Sequence, residues 1–80
     1  MLLGVSATIS ISPNPTNDYV TVTMTSASAS LEIIDAQGKV LQTSQVVDGD
    51  KIDLSKYSTG LYIFSVKTEN GTSIHRISKN

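Results

Sequence analysis

The stretch Leu61-Tyr62-Ile63-Phe64-Ser65-Val66-Lys67-Thr68-Glu69-Asn70-Gly71-Thr72-Ser73-Ile74-His75-Arg76-Ile77-Ser78 reads as a β-hairpin. Tyr62, Phe64 and Val66 alternate with Ile63, Ser65 and Lys67, and a period of 2 puts one face of a strand into a core. Asn70-Gly71 is the strongest short hairpin signal in the chain. Strands are therefore predicted over 61–68 and 72–78. In the second of these, Ile74 and Ile77 fall on opposite faces, which a bulge or an edge position would explain.

The same period runs upstream. Ile9 and Ile11 alternate with Thr8, Ser10 and Ser12, and Val20, Val22 and Met24 with Tyr19, Thr21 and Thr23. Leu31 and Ile33 flank Glu32, and Ile52 and Leu54 flank Asp53. These runs predict strands at 7–12, 19–24, 30–35, 39–46 and 51–54. In 39–46 Val40 and Val46 share one face and Leu41 takes the other, so this strand too calls for a bulge or an edge. No window keeps an i, i+3, i+4, i+7 stripe, and no helix is assigned. The breaks are turn chemistry: Ser12-Pro13-Asn14-Pro15, where two prolines remove ladder donors, Asn17-Asp18, Asp48-Gly49-Asp50 and Ser58-Thr59-Gly60. Asp35-Ala36-Gln37-Gly38 reads as a type I turn closed by a left-handed glycine. Positive φ is expected at Gly38 and Gly60. About seven short antiparallel strands at this spacing indicate an all-β sandwich. Its core should hold Val20, Val22, Leu31, Ile33, Ile52, Leu54, Tyr62, Phe64 and Val66.

The chain has 80 residues, enough for one domain. A chain of this size buries only about 60% of its unfolded surface, so its core is thin. There is no cysteine and a single histidine, which removes a disulfide framework and a Cys/His zinc centre as staples. The formal net charge of −1 gives no electrostatic case for nucleic acid or an anionic membrane. No apolar run approaches the roughly 20 residues of a bilayer span. The first residues, Met1 to Ala7, lack the basic start of a signal peptide. Residues 1–8 are read as a linker or cloning remnant, and 9–80 as the domain.

Residues that could carry chemistry have plainer readings. His75 would need a nucleophile and an orienting carboxylate to act as a catalytic base, and no motif supplies them; it reads as a half-exposed strand histidine. Asp48, Asp50 and Asp53 could offer oxygen ligands, but a calcium loop wants about six to eight oxygens and a closing glutamate. Turn-forming aspartates are the simpler reading. Asn70-Gly71-Thr72 matches a glycosylation sequon and is better read as the hairpin turn. Tyr19, Tyr57, Tyr62 and Phe64 could stack on sugars, yet alternation puts Tyr62 and Phe64 inside, and there is no tryptophan. No catalytic residue, cofactor or metal site is expected.

Four fragments in order carry a resemblance: Ser12-Pro13-Asn14-Pro15; Leu31-Glu32-Ile33-Ile34-Asp35-Ala36-Gln37-Gly38-Lys39-Val40; Ile52-Asp53-Leu54-Ser55-Lys56-Tyr57-Ser58-Thr59-Gly60-Leu61-Tyr62-Ile63-Phe64; and Arg76-Ile77-Ser78-Lys79. Together they resemble the type A C-terminal sorting domain of proteins exported by the type IX secretion system of Bacteroidota. Tyr57 departs from the pattern, which usually has Leu there. The resemblance implies an immunoglobulin-like antiparallel β-sandwich without catalysis. It also implies a secretion signal that takes a larger upstream cargo from the periplasm across the outer membrane to the cell surface or medium. The implied partners are the outer-membrane translocon and a sortase that cuts within about Leu2 to Thr8; neither nucleic acid nor membrane insertion is involved. Pro13, Asn14, Pro15, Asp35, Gly38, Gly60 and Tyr62 then look like fold motifs. The ending, with Arg76, Ser78 and Lys79, has no evident folding role and is the candidate recognition element. The competing reading is an immunoglobulin-like accessory binding or spacer module of a secreted hydrolase.

Overall fold

The computed structural model describes residues 9–80, so the predicted start of the first strand at residue 7, the 1–8 linker and the cleavage window lie outside the described residues. Seven strands follow in order: β1 (Ile9–Ser12), β2 (Tyr19–Met24), β3 (Ala29–Ile34), β4 (Val40–Val46), β5 (Lys51–Asp53), β6 (Gly60–Thr68) and β7 (Gly71–Lys79). They form a three-stranded antiparallel sheet, β1-β2-β5, and a four-stranded one, β4-β3-β6-β7. The chain crosses between sheets after β2, β4 and β5, and the result is an immunoglobulin-like sandwich.

The alternating residues meet between the sheets. Val20, Val22, Leu31, Ile33, Leu54, Phe64 and Val66 are fully buried, with Ile52 and Tyr62 nearly so. Ile11, Met24, Ala29, Val46 and Ile77 complete the cluster. With no disulfide available, this apolar contact and the ladders carry the fold.

Both ambiguous strands resolve as edges of the four-stranded sheet. In β4, Gln42 pairs with Ile33 and Val40 with Ile34, so Leu41 is an extra residue and the register shifts there. The bulge corrects the expectation that Val40 and Val46 share a face. Val46 is buried, whereas Val40 turns outward, 48% exposed, and Leu41 packs against the core. β7 needs no bulge: its register with β6 is continuous from Gly60–Lys79 to Thr68–Gly71. Ile77 is buried and Ile74 simply faces out, 60% exposed.

Register also assigns the ends of the sandwich. Gly60, Lys79, Ile34 and Val40 lie at one end of the four-stranded sheet; Thr68, Gly71, Ala29 and Val46 lie at the other. β6 separates them by roughly 27 Å at the usual strand rise. Ile9, where the described chain enters, pairs with Met24 at the end of β2 that leads into β3 at Ala29.

Candidate functional site

The last strand is an edge, and its outward backbone groups would be unpaired without a cover. Asn14 supplies one. Its Nδ2 donates to the Arg76 carbonyl at 2.8 Å and its Oδ1 accepts from the Ser78 amide at 3.0 Å. A carboxamide carries donor and acceptor side by side, as a peptide group does, so Asn14 substitutes for a neighbouring strand. Thr16 continues the contact: its amide donates to the Ser78 carbonyl at 2.9 Å, and its carbonyl accepts from the Asn80 amide at 2.8 Å. The Thr16 side chain is buried, and its hydroxyl donates to the Tyr19 carbonyl. Pro13 and Pro15, on either side of Asn14, restrict φ there. Asn80 Nδ2 also donates to Asn17 Oδ1 at 3.1 Å.

This arrangement corrects the expectation that the C-terminal fragment has no folding role. Its backbone is paired on both edges, to β6 and to the 14–16 segment, and Ile77 is in the core. Its polar side chains are another matter. Arg76 and Ser78 are exposed, and the Arg76 guanidinium has no partner among the described residues. Lys79 is half-buried, with Nζ donating to the Asn80 carbonyl at 3.0 Å.

The two middle fragments reach the same end. Asp35 Oδ1 accepts from the amides of Gln37 and Lys39, both at 2.9 Å, while the Gly38 amide donates to the Asp35 carbonyl at 3.0 Å. Gly38 closes this turn at φ +90°, where a Cβ is strained. Gly60, at φ +156°, pairs with Lys79 and opens β6. Beside the turn, the rings of Tyr57 and Tyr62 stack at 5.5 Å, 28° from parallel. The Tyr62 hydroxyl donates to the Ser58 carbonyl at 2.6 Å, and that of Tyr57 to Gln42 Oε1 at 3.0 Å. Burial pushes the Tyr57 pKa up. A shallow groove lies between Asp35, Leu41, Lys56 and the two tyrosines. Four fragments spread over the whole sequence thus meet at one end of the sandwich.

Residues 10–80 match the family model described as a secretion system C-terminal sorting domain. The chain belongs to this family. It carries a sorting signal of type IX secretion, which implies export across the envelope to the surface or medium by the type IX machinery, with cargo attached upstream. The family is one of sorting signals and not of catalysts. No curated protein and no solved structure matches the chain.

Elsewhere in the sorting domain, the residues that could carry chemistry are engaged structurally. Asp48 Oδ1 accepts from the Met24 amide at 2.9 Å, Asp50 Oδ2 from that of Val47 at 2.8 Å and Asp53 Oδ1 from that of Ser55 at 2.8 Å. The Ser55 hydrogen bonds hold the Asp53 carboxyl below its usual range. Among the described residues, no group of three His, Cys, Asp or Glu could hold a metal. His75 pairs with Phe64, on the core-facing side of β7. Its Nε2 is shut off from solvent without a hydrogen-bond partner, and burial lowers its pKa. Glu69 and Asn70 make the two-residue β6–β7 turn, and Gly71 opens β7 paired with Thr68, so the turn sits one residue earlier than the expected Asn70-Gly71 pair. Tyr19 is exposed and carries the Lys51 ammonium 4.9 Å from its ring centre. Sequence reasoning missed the clamping role of Asn14 and the buried Thr16. Asn14 stood in a quoted fragment, but its partners are 62 and 64 residues away.

Proposed function

We propose that residues 9–80 direct a larger upstream cargo from the periplasm through the type IX translocon of the outer membrane, and that a sortase then removes them by cutting between about Leu2 and Thr8. The domain itself catalyses nothing and needs no cofactor. Cargo joins at the Ile9 end, while the end holding Pro13, Asn14, Pro15, Asp35, Gly38, Gly60 and Tyr62 presents Arg76, Ser78 and Lys79 to the machinery. The observation that supports this reading is the division of labour in the C-terminal fragment. Its backbone is held by Asn14 and Thr16, and its Arg76 and Ser78 side chains are left in solvent.

The test is a fluorescent reporter fused ahead of the domain in a Bacteroidota host with a working type IX system. Arg76→Ala with Lys79→Ala should leave the melting temperature close to the parent's, since the Arg76 charge is exposed and half-buried Lys79 bonds only the Asn80 carbonyl beside it. The same pair should lower export. Export at the parent's level removes the basic residues from the site, and a parent that exports no reporter favours the accessory-module reading.

A further inference from the structure

The outward face of the four-stranded sheet is apolar at the end where the fragments meet. Val40 pairs with Ile34, Ile34 with Ile63 and Ile63 with Arg76, so one row of side chains crosses all four strands. Leu61 stands beside Ile63 on the same face, two residues along β6, and Ile74 beside Arg76 on β7. Leu61 is 44% exposed and Ile74 and Val40 more so. An outward sheet face of a free-standing sandwich ordinarily carries polar residues. The rest of this face does: Glu32, Thr43, Ser65, Lys67 and Thr72 share it, with Ile74 at its border opposite Ser65, while Ser78 stands opposite Leu61. The apolar half is bordered by one guanidinium that has no partner among the described residues.

We propose that this patch is the docking surface of the sorting domain for a receptor of the export machinery. The receptor surface it fits is apolar, with a carboxylate placed against Arg76. The proposal rests on the sorting reading and names the face that serves it. Charge supports the choice of partner: an unpaired Arg at the rim of an apolar cluster is the residue type favoured at protein interfaces, where it binds carboxylates bidentately. A second copy of the chain fits less well. A stable homodimer buries roughly 800 Å² per partner, and five side chains, of which Ile34 and Ile63 are already half-buried, do not supply that. A receptor that must later release the domain needs only the smaller area of a transient contact. The attached cargo fits less well also, because the chain enters at Ile9, in the other sheet and at the other end.

The test replaces Leu61 and Ile74 by Ser together in the exported reporter fusion, with Val47→Ser as the control. Val47 is an equally exposed apolar residue, in the loop that follows β4 at the opposite end. The double variant should lose about tenfold or more in export, the size of a hot-spot loss, while Val47→Ser exports normally and both keep the parent's melting temperature. Should the double variant fold poorly, Arg76→Glu serves instead. It should block export, and a carboxylate-to-Lys change selected in a secretion component should restore it. Normal export of the folded double variant, or of Arg76→Glu, overturns the docking face and leaves the sorting reading standing. A parent fusion that is not exported overturns both. A parent dimer in sedimentation that the double variant dissolves assigns the face to self-association and overturns the receptor.

Discussion

The two ends of the sandwich are closed by different kinds of contact. At the end with the fragments, Asn14 and Thr16 hold β7 across more than 60 residues of sequence. At the end where the chain enters, the bonds are shorter in range. Asp48 reaches Met24, Gly49 and Asp50 bond Val22, and the Thr68 hydroxyl accepts from the Asn70 amide. The first end can form only when both extremities of the domain are in place; the bonds of the second join segments much nearer in sequence. The recognition element proposed for the first end would therefore be presented only by a finished fold.

Phe64→Ala probes whether the two ends belong to one cooperative unit. Phe64 is fully buried at the middle of β6, beneath both. The substitution should cost about 3–5 kcal/mol, a large part of the stability of so small a domain. Urea unfolding should remain a single transition; two transitions would make the ends separate units. Asn14→Ala strikes one end alone. It leaves the Arg76 carbonyl and the Ser78 amide without their partner and should cost about 1–2 kcal/mol. A loss below a few tenths, read by the same unfolding curves, would show that the clamp adds nothing.

Gly38→Ala tests the turn beside the clamp. Nothing lies within 4 Å of the new Cβ, so the cost is conformational alone. At φ +90° it should be about 1 kcal/mol. An unchanged melting temperature would contradict the left-handed turn.

The smallest effect is that of pH. Burial depresses the His75 pKa in the folded state, so the unfolded chain binds the proton more readily. Stability from the neutral ring is complete above the unfolded value of about 6.5 and is lost as pH falls through the folded value. His75→Gln should flatten the stability profile just below neutrality. Asp53, whose carboxyl is depressed, contributes in a separate window, above about 4. A profile unchanged by His75→Gln would remove the buried-ring account.

Strand positions were legible because period 2 survives in β2, β3, β5 and β6, and each core residue predicted from it is buried. Turn chemistry was legible at Asp35–Gly38 because aspartate bonds its own turn locally. The face of Val40 was not, since a one-residue bulge at Leu41 reverses all that precedes it in β4. Outward Leu61 and Ile63 could be read from alternation, but their meeting with Val40, Ile34 and Ile74 depends on strand order. The role of Asn14 depends on a partner strand at the far end of the chain, and no local pattern encodes that.

Amide hydrogen exchange at Ser78 examines the clamp itself. The Ser78 amide faces away from β6 and donates to Asn14 Oδ1. In the parent it should be protected, together with the Asn80 amide that bonds Thr16. In Asn14→Ala, protection at Ser78 should fall to that of an exposed amide, while the amides of β2 and β3 keep theirs. Ser78 exchanging at the rate of an unstructured chain in the parent, or equally protected in Asn14→Ala, would contradict a last strand held in place by the Pro-Asn-Pro segment and, with it, the proposed recognition element.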